Sequence, residues 1–99
     1  MEKEKTFIEF ESELRGRGFA TVLTREWAPH TVVESHSHPF DASALIVSGD
    51  LWLTLGDSTE HLSRGDTFEI PAGTAHIERY GPEGAVYWVG RRPPVEHRR

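Results

Sequence analysis

The chain predicts an all-β fold, an antiparallel barrel or sandwich of short strands preceded by one short helix. Three observations carry this. Apolar residues recur at helical spacing only near the N-terminus, and at a period of two afterwards. The strand-like runs are short and are separated by turn-forming Gly, Pro and Asp. A length of 99 residues is that of one domain, with a core that is adequate rather than generous.

Each element has a local reason. Thr6-Phe7-Ile8-Glu9 has the form of a capping box, and Phe7, Phe10 and Leu14 follow at i, i+3 and i+7 on one stripe. Residues 7 to 15 are therefore read as a helix packed on the outside or bottom of the barrel, stopped by Gly16 and Gly18. Residues 20 to 27 form a candidate strand ending at Pro29, and residues 31 to 38 form a second. Residues 43 to 48 lead into Gly49-Asp50, a tight hairpin signal. Leu51, Leu53 and Leu55 alternate with Trp52 and Thr54, so the leucines face the core. After the turn Gly56-Asp57-Ser58, short strands are expected near 60 to 63, 67 to 70, 75 to 80 and 85 to 90. Pro93-Pro94 ends regular structure. The resulting division is an N-terminal helical segment at 1–18, a barrel at 19–92 and a C-terminal tail at 93–99.

Composition narrows the function. The net charge is −5, and Lys and Arg are scattered apart from Arg91, Arg92, Arg98 and Arg99, read as a solvated tail, so no nucleic-acid partner is expected. No cysteine is present, which removes disulfide and thiolate chemistry. No apolar run approaches the ~20 residues of a membrane-spanning helix. The charged start Met1-Glu2-Lys3-Glu4-Lys5 lacks a signal peptide's apolar region, so a cytoplasmic location is the expectation. Trp52 and Trp88 fall in the outward phase of their strands, which points to a homodimer built on sheet surfaces.

The chemistry concentrates in two segments. His36-Ser37-His38 places two imidazoles on one face of a strand. His76 arrives from a later strand, after the turn Pro71-Ala72-Gly73, and can supply a third. A three-imidazole set with open positions suits a catalytic or substrate-binding metal. Parity extends the list. If His76 points inward, so do Glu78 and Tyr80; if His36 and His38 do, so does Glu34. A carboxylate facing the inside of a small barrel is costly unless it is paired or metal-bound. Glu78 is thus a candidate ligand or general acid/base, against a rim carboxylate paired with Arg79 or Arg64. Tyr80 is a candidate catalytic phenol, against a core aromatic. Asp41, after Pro39-Phe40, is either a ligand or an Asx-type turn residue. His30, His61 and His97 read as surface or loop residues.

Gly65, Pro71, Gly73 and His76 match the spacing Gly-x5-Pro-x-Gly-x2-His, and His36, His38 and Gly49 match part of a companion motif. On these residues the chain resembles the cupin superfamily. The resemblance implies a double-stranded β-helix, a small jelly roll, and one divalent transition metal (Fe, Zn, Ni or Mn) held by His36, His38 and His76. It also departs from the pattern. The family's ligand glutamate falls on Ala42 or Ser43, the opening glycine on His30 and the closing asparagine on Tyr80. Asp41 or Glu78 is left to stand in as fourth ligand. A three-histidine iron site is similar to that of cysteine dioxygenase, a cupin relative. Two functions from different classes follow: a metal-dependent, oxygenase-like enzyme acting on a small molecule in the barrel, and a non-catalytic module that binds or senses a small ligand or metal. A metal-free structural barrel is the third reading.

Overall fold

The computed structural model describes residues 4–94. His97, Arg98 and Arg99 lie outside the described residues. The helix α1 (Phe7–Gly16) opens as its capping box requires: Glu9 N–H donates to Thr6 Oγ1 at 3.1 Å and Thr6 N–H to Glu9 Oε1 at 2.8 Å. Such a cap contributes about 1 kcal/mol. Six strands follow: β1 (Thr21–Trp27), β2 (Val32–His36), β3 (Asp41–Leu55), β4 (Ser58–Ser63), β5 (Thr67–Ile70) and β6 (His76–Arg92).

All pairings are antiparallel. The two long strands, β3 and β6, pair along their length and bend together. The first half of β3 and the second half of β6 form one layer, with β5 on one side and β1 on the other. The remaining halves form the facing layer, flanked by β4 and β2. This is the double-stranded β-helix. Ala44, Ile46, Leu51, Leu53, Tyr80 and Val89 belong to the buried core between the layers.

The Gly49-Asp50 hairpin expected from the sequence does not form. The chain runs straight through as β3, with register shifts at Ile46/Ser48 and Gly49/Leu51, and the expected strands at 75–80 and 85–90 are one strand, β6. Gly49 has φ +82 and Gly84 has φ +68, and a Cβ at Gly49 would overlap the Gly84 carbonyl oxygen and stand 2.7 Å from the Ala85 Cα. The two glycines therefore mark a shared corner where both strands pass from one layer to the other, not a chain reversal.

A second, smaller core joins helix to sheet: Phe10, Leu14 and Phe19 pack with Val22, Leu45 and Trp88. Trp88 is thus covered from within, edge-on to Phe7 at 5.4 Å. Trp52 lies between the His61 ring at 4.4 Å and the Arg79 guanidinium at 4.7 Å. The uncovered tryptophan faces from which the sequence inferred a dimer are therefore occupied by the chain itself. No described helix is long and apolar enough to cross a membrane.

Candidate metal centre

His36 closes β2 and stands opposite His76, the first residue of β6. His38 follows in the loop, its ring stacked on Phe40 at 4.8 Å and its carbonyl accepting from Gly73 N–H at 2.8 Å. The Pro71–Gly73 turn is tied down a second time, because Ala72 N–H donates to Asp41 Oδ1 at 2.8 Å. The two segments are therefore stitched to each other by one backbone hydrogen bond and one from a backbone N–H to the Asp41 side chain, and this brings the three imidazoles together. Their ring centroids lie 4.2, 4.8 and 5.3 Å apart, and one ring nitrogen from each lies within 4.8 Å of the others.

The nitrogens that face inward are decided by the backbone. His36 Nδ1–H donates to the Glu34 carbonyl at 2.7 Å, and His76 Nδ1–H to the Thr74 carbonyl at 3.0 Å. Each proton is thereby placed on Nδ1, leaving the Nε2 lone pair free on the inner side, as in metal-ligating histidines. Burial, followed by the neighbouring His36 and His76 rings, holds the His38 imidazole below its ordinary pKa and so favours the neutral, ligand-competent form.

Of the two carboxylates named as a fourth donor, only Glu78 is here. Its Oε2 lies 3.4 Å from His76 Nε2 and 3.6 Å from His36 Nε2. Its Oε1 accepts from Tyr80 O–H. Neither Arg79 nor Arg64 pairs with it: Arg79 stacks on Trp52, and Arg64 pairs with Glu4. Asp41 is engaged elsewhere, by Ala72 N–H and by Arg92 Nε at 3.2 Å. It belongs to a separate shallow cleft beside Glu69 and Arg92. It ties the start of β3 to the distant Pro71–Gly73 turn, rather than closing an Asx-type turn of its own. Glu34 is exposed, contrary to parity, because the bulge between Val33 and His36 resets the phase of β2. Tyr80 does face inward, but it is 1% exposed and lies behind Glu78, stacked on Trp27 at 5.0 Å. Burial pushes its phenol far above the ordinary tyrosine range, so it remains a donor to Glu78.

The Ala72 N–H, then the Arg92 pair, hold the Asp41 carboxyl below the usual aspartate value. A depressed carboxyl stabilises the fold above its ordinary pKa and loses that contribution as the pH falls through the lower, folded-state value. The melting-temperature advantage of the wild type over Asp41→Asn is therefore expected to shrink as the pH is lowered from about 6 to about 3. An advantage that stays constant across thermal melts in that window would contradict this assignment.

The imidazoles and Glu78 open onto a cavity of about 90 Å³, walled by Trp27, Phe40, Phe68, Ile70, Tyr87 and Val89, with Arg25 and Arg91 at its sides. The sequence reading missed both arginines, and placed Arg91 in a solvated tail. A signal existed. Arg25 shares the inward parity of Leu23 and Trp27 on β1, and Arg91 that of Tyr87 and Val89 on β6. Arg92, also read as tail, is fixed by Asp41 and the Arg17 carbonyl. His61 has a partner after all, Asp50 Oδ1 at 2.8 Å.

A jelly-roll barrel with clustered histidines at one end defines a class of protein, and independent comparison agrees. The cupin domain family model matches residues 23–89, and the chain belongs to that family. Among solved structures it is similar to a Rhizobium leguminosarum protein of unknown function, with a TM-score of 0.72 and 20% identity over 94% of this chain and 99% of that one. KdgF from a Halomonas species gives a TM-score of 0.62 and 23% identity, over 76% of this chain and 69% of that one. Oxalate decarboxylase from Bacillus subtilis, a protein with Mn(II) centres, gives 0.66 and 21%, over 77% of this chain and 22% of that one. At these identities the likeness is one of fold. No curated protein matches the sequence at a significant level.

Proposed function

We propose that this protein is a metal-dependent cupin in which His36, His38, His76 and Glu78 hold one divalent transition metal beside a small-molecule cavity. The observation that carries this reading is the donor geometry of Glu78. Separations of 3.4 and 3.6 Å from two Nε2 atoms are too long for hydrogen bonds. They equal the roughly 3–4 Å between neighbouring ligands on a metal held at 2.0–2.2 Å. The donor set fits: two Nδ1 protons are spent on backbone carbonyls, one ring nitrogen of each histidine lies within 4.8 Å of the others, and a carboxylate oxygen stands beside two of them. Glu78 thus stands in for the family glutamate that is absent at Ala42 and Ser43. It comes from the strand that carries His76 rather than from the His36-His38 segment.

The roles of the chain's own residues follow. Tyr80 positions Glu78 by donating to Oε1, which turns Oε2 toward the histidines. Phe40 braces His38, and the Gly73–His38 hydrogen bond fixes the loop that carries it. Trp27, Phe40, Phe68, Ile70 and Val89 give the cavity beside the site an apolar wall. A bound Fe, Zn, Ni or Mn ion would supply Lewis-acid or redox chemistry to a ligand in the cavity. The Mn(II) centres of the structurally similar oxalate decarboxylase support a first-row divalent ion.

Glu78→Gln and Asp41→Asn separate the two carboxylates. Glu78→Gln is expected to weaken metal binding by at least about 100-fold, as for any direct donor, with little change in melting temperature, since shape and the acceptor for Tyr80 are retained. Asp41→Asn is expected to leave metal affinity at the wild-type value. Competition titration against a chromogenic chelator reads both, and the reverse pattern would overturn Glu78 as the fourth ligand.

A further inference from the structure

The cavity's charge balance points beyond the metal. Two guanidiniums line it, and the carboxylate on its wall, Glu78, is already engaged by Tyr80 and faces two histidines. Arg25 and Arg91 reach it from neighbouring strands, Arg25 opposite Tyr87 and Arg91 opposite Thr21. Each is braced on an aromatic face, Arg25 over Trp27 at 4.7 Å and Arg91 over Phe40 at 4.9 Å. A guanidinium held over an aromatic ring keeps N–H groups available to donate, and neither guanidinium has a hydrogen-bond partner among the described residues. Among the described residues, Arg15, Arg17, Arg64 and Arg92 each have a carboxylate partner, whereas Arg25 and Arg91 have none. Arg79 is also without one, but it lies on the outer face over Trp52.

Half-buried cations without counter-ions are costly unless something else completes them. In a chain of net charge −5, a positive cavity is a local arrangement and not a reflection of overall charge. A divalent ion at the histidines would make it more positive still. The remaining wall is aromatic and aliphatic, which suits a short carbon skeleton.

We propose that the ligand of this cavity is a small organic carboxylate, drawn in and held by Arg25 and Arg91. The inference deepens the metal-site reading by naming its ligand class, and the arginine contact stands whether or not a metal is bound. Charge-assisted hydrogen bonds from arginine to a carboxylate are about twice as strong as neutral ones, and a guanidinium donates two in parallel. Loss of both arginines is therefore expected to weaken binding by roughly tenfold or more.

The test is calorimetric titration of malonate and succinate, beside their neutral diamides, into wild-type, Arg25→Gln, Arg91→Gln and doubly substituted protein. Metal content is measured on each sample. The expected result is that the acids bind the wild type, the diamides bind at least about tenfold more weakly, and the double variant loses the acids. The acid-against-diamide comparison is also run on metal-free wild type, where no ion can ligate the carboxylate, so it decides even if the double substitution impairs folding. Equal binding of acid and diamide, undiminished binding to the double variant, or no binding of either acid would overturn the proposal. Arginine-dependent binding by protein that takes up no metal would sink the metal reading and leave this one. One metal per chain with arginine-independent binding would do the opposite.

Discussion

His76→Ala protein is expected to bind its divalent ion at least about 100-fold more weakly than wild type, and to emerge metal-free from dialysis. Second-sphere partners of a metal already contribute 10–100-fold, and His76 contributes a direct donor with a preset tautomer. It is 2% exposed, with Nδ1 committed to the Thr74 carbonyl and Nε2 facing Glu78. Because truncating so buried a side chain also leaves a void, His36→Ala is the companion variant. His36 is partly exposed, so its loss should remove metal with a smaller effect on melting. His61→Ala should keep the ion, since His61 pairs with Asp50 on the far side of β3. Elemental analysis of tag-free protein reads all three. Stoichiometric metal in His76→Ala protein would refute the site as drawn.

The largest effect on stability is expected from Gly49→Ala. Two costs combine there. An L side chain at φ +82 is strained, and its Cβ would overlap backbone atoms of Gly84 and Ala85, which cannot move without opening the β3–β6 pair. Gly56 isolates the first cost, since it has φ +59 and open space around its missing Cβ. Gly56→Ala should cost about 1–2 kcal/mol. Gly49→Ala should cost on the order of 3 kcal/mol or more, lowering the melting temperature by at least roughly 12 °C for a domain of this size. Equal losses for the two variants in thermal melts would mean that the shared corner relaxes, and that β3 and β6 are not locked together there.

Loss of that corner would reach the histidine cluster, because β6 carries His76 and Glu78 at one end and Arg91 at the other. The barrel is held by its two long bent strands, and the site hangs on the same strands. Stability and metal affinity are therefore expected to fall together for corner substitutions, but separately for Glu78→Gln.

Much of this was legible in the chain. The capping box, the helical stripe, the period-two alternation and the ranges of β1 and β5 are local features, and local features are written in consecutive residues. The cluster of His36, His38 and His76 was legible because its spacing matches a known pattern. The inward turn of Glu78 followed from parity along an unbroken strand. Parity failed where the strand is irregular: a bulge between Val33 and His36 puts Glu34 in solvent. The hairpin at Gly49-Asp50 failed for a related reason. A glycine with positive φ reads alike in a two-residue turn and in a bulged corner, and the difference lies in what stands opposite it, here Gly84.

What the sequence alone determined, then, is the fold family, the strand content and the three clustered histidines. Only the tertiary structure decided which carboxylate lies beside them, since Asp41 and Glu78 differ by which distant groups reach them first: Ala72 N–H and Arg92 for one, Tyr80 and the imidazoles for the other. It also decided that Trp88 lies under the helix and that Arg25 and Arg91 line the cavity. These are pairings between residues far apart in the chain, fixed by how β1, β3 and β6 register against one another, and no local spacing encodes that register.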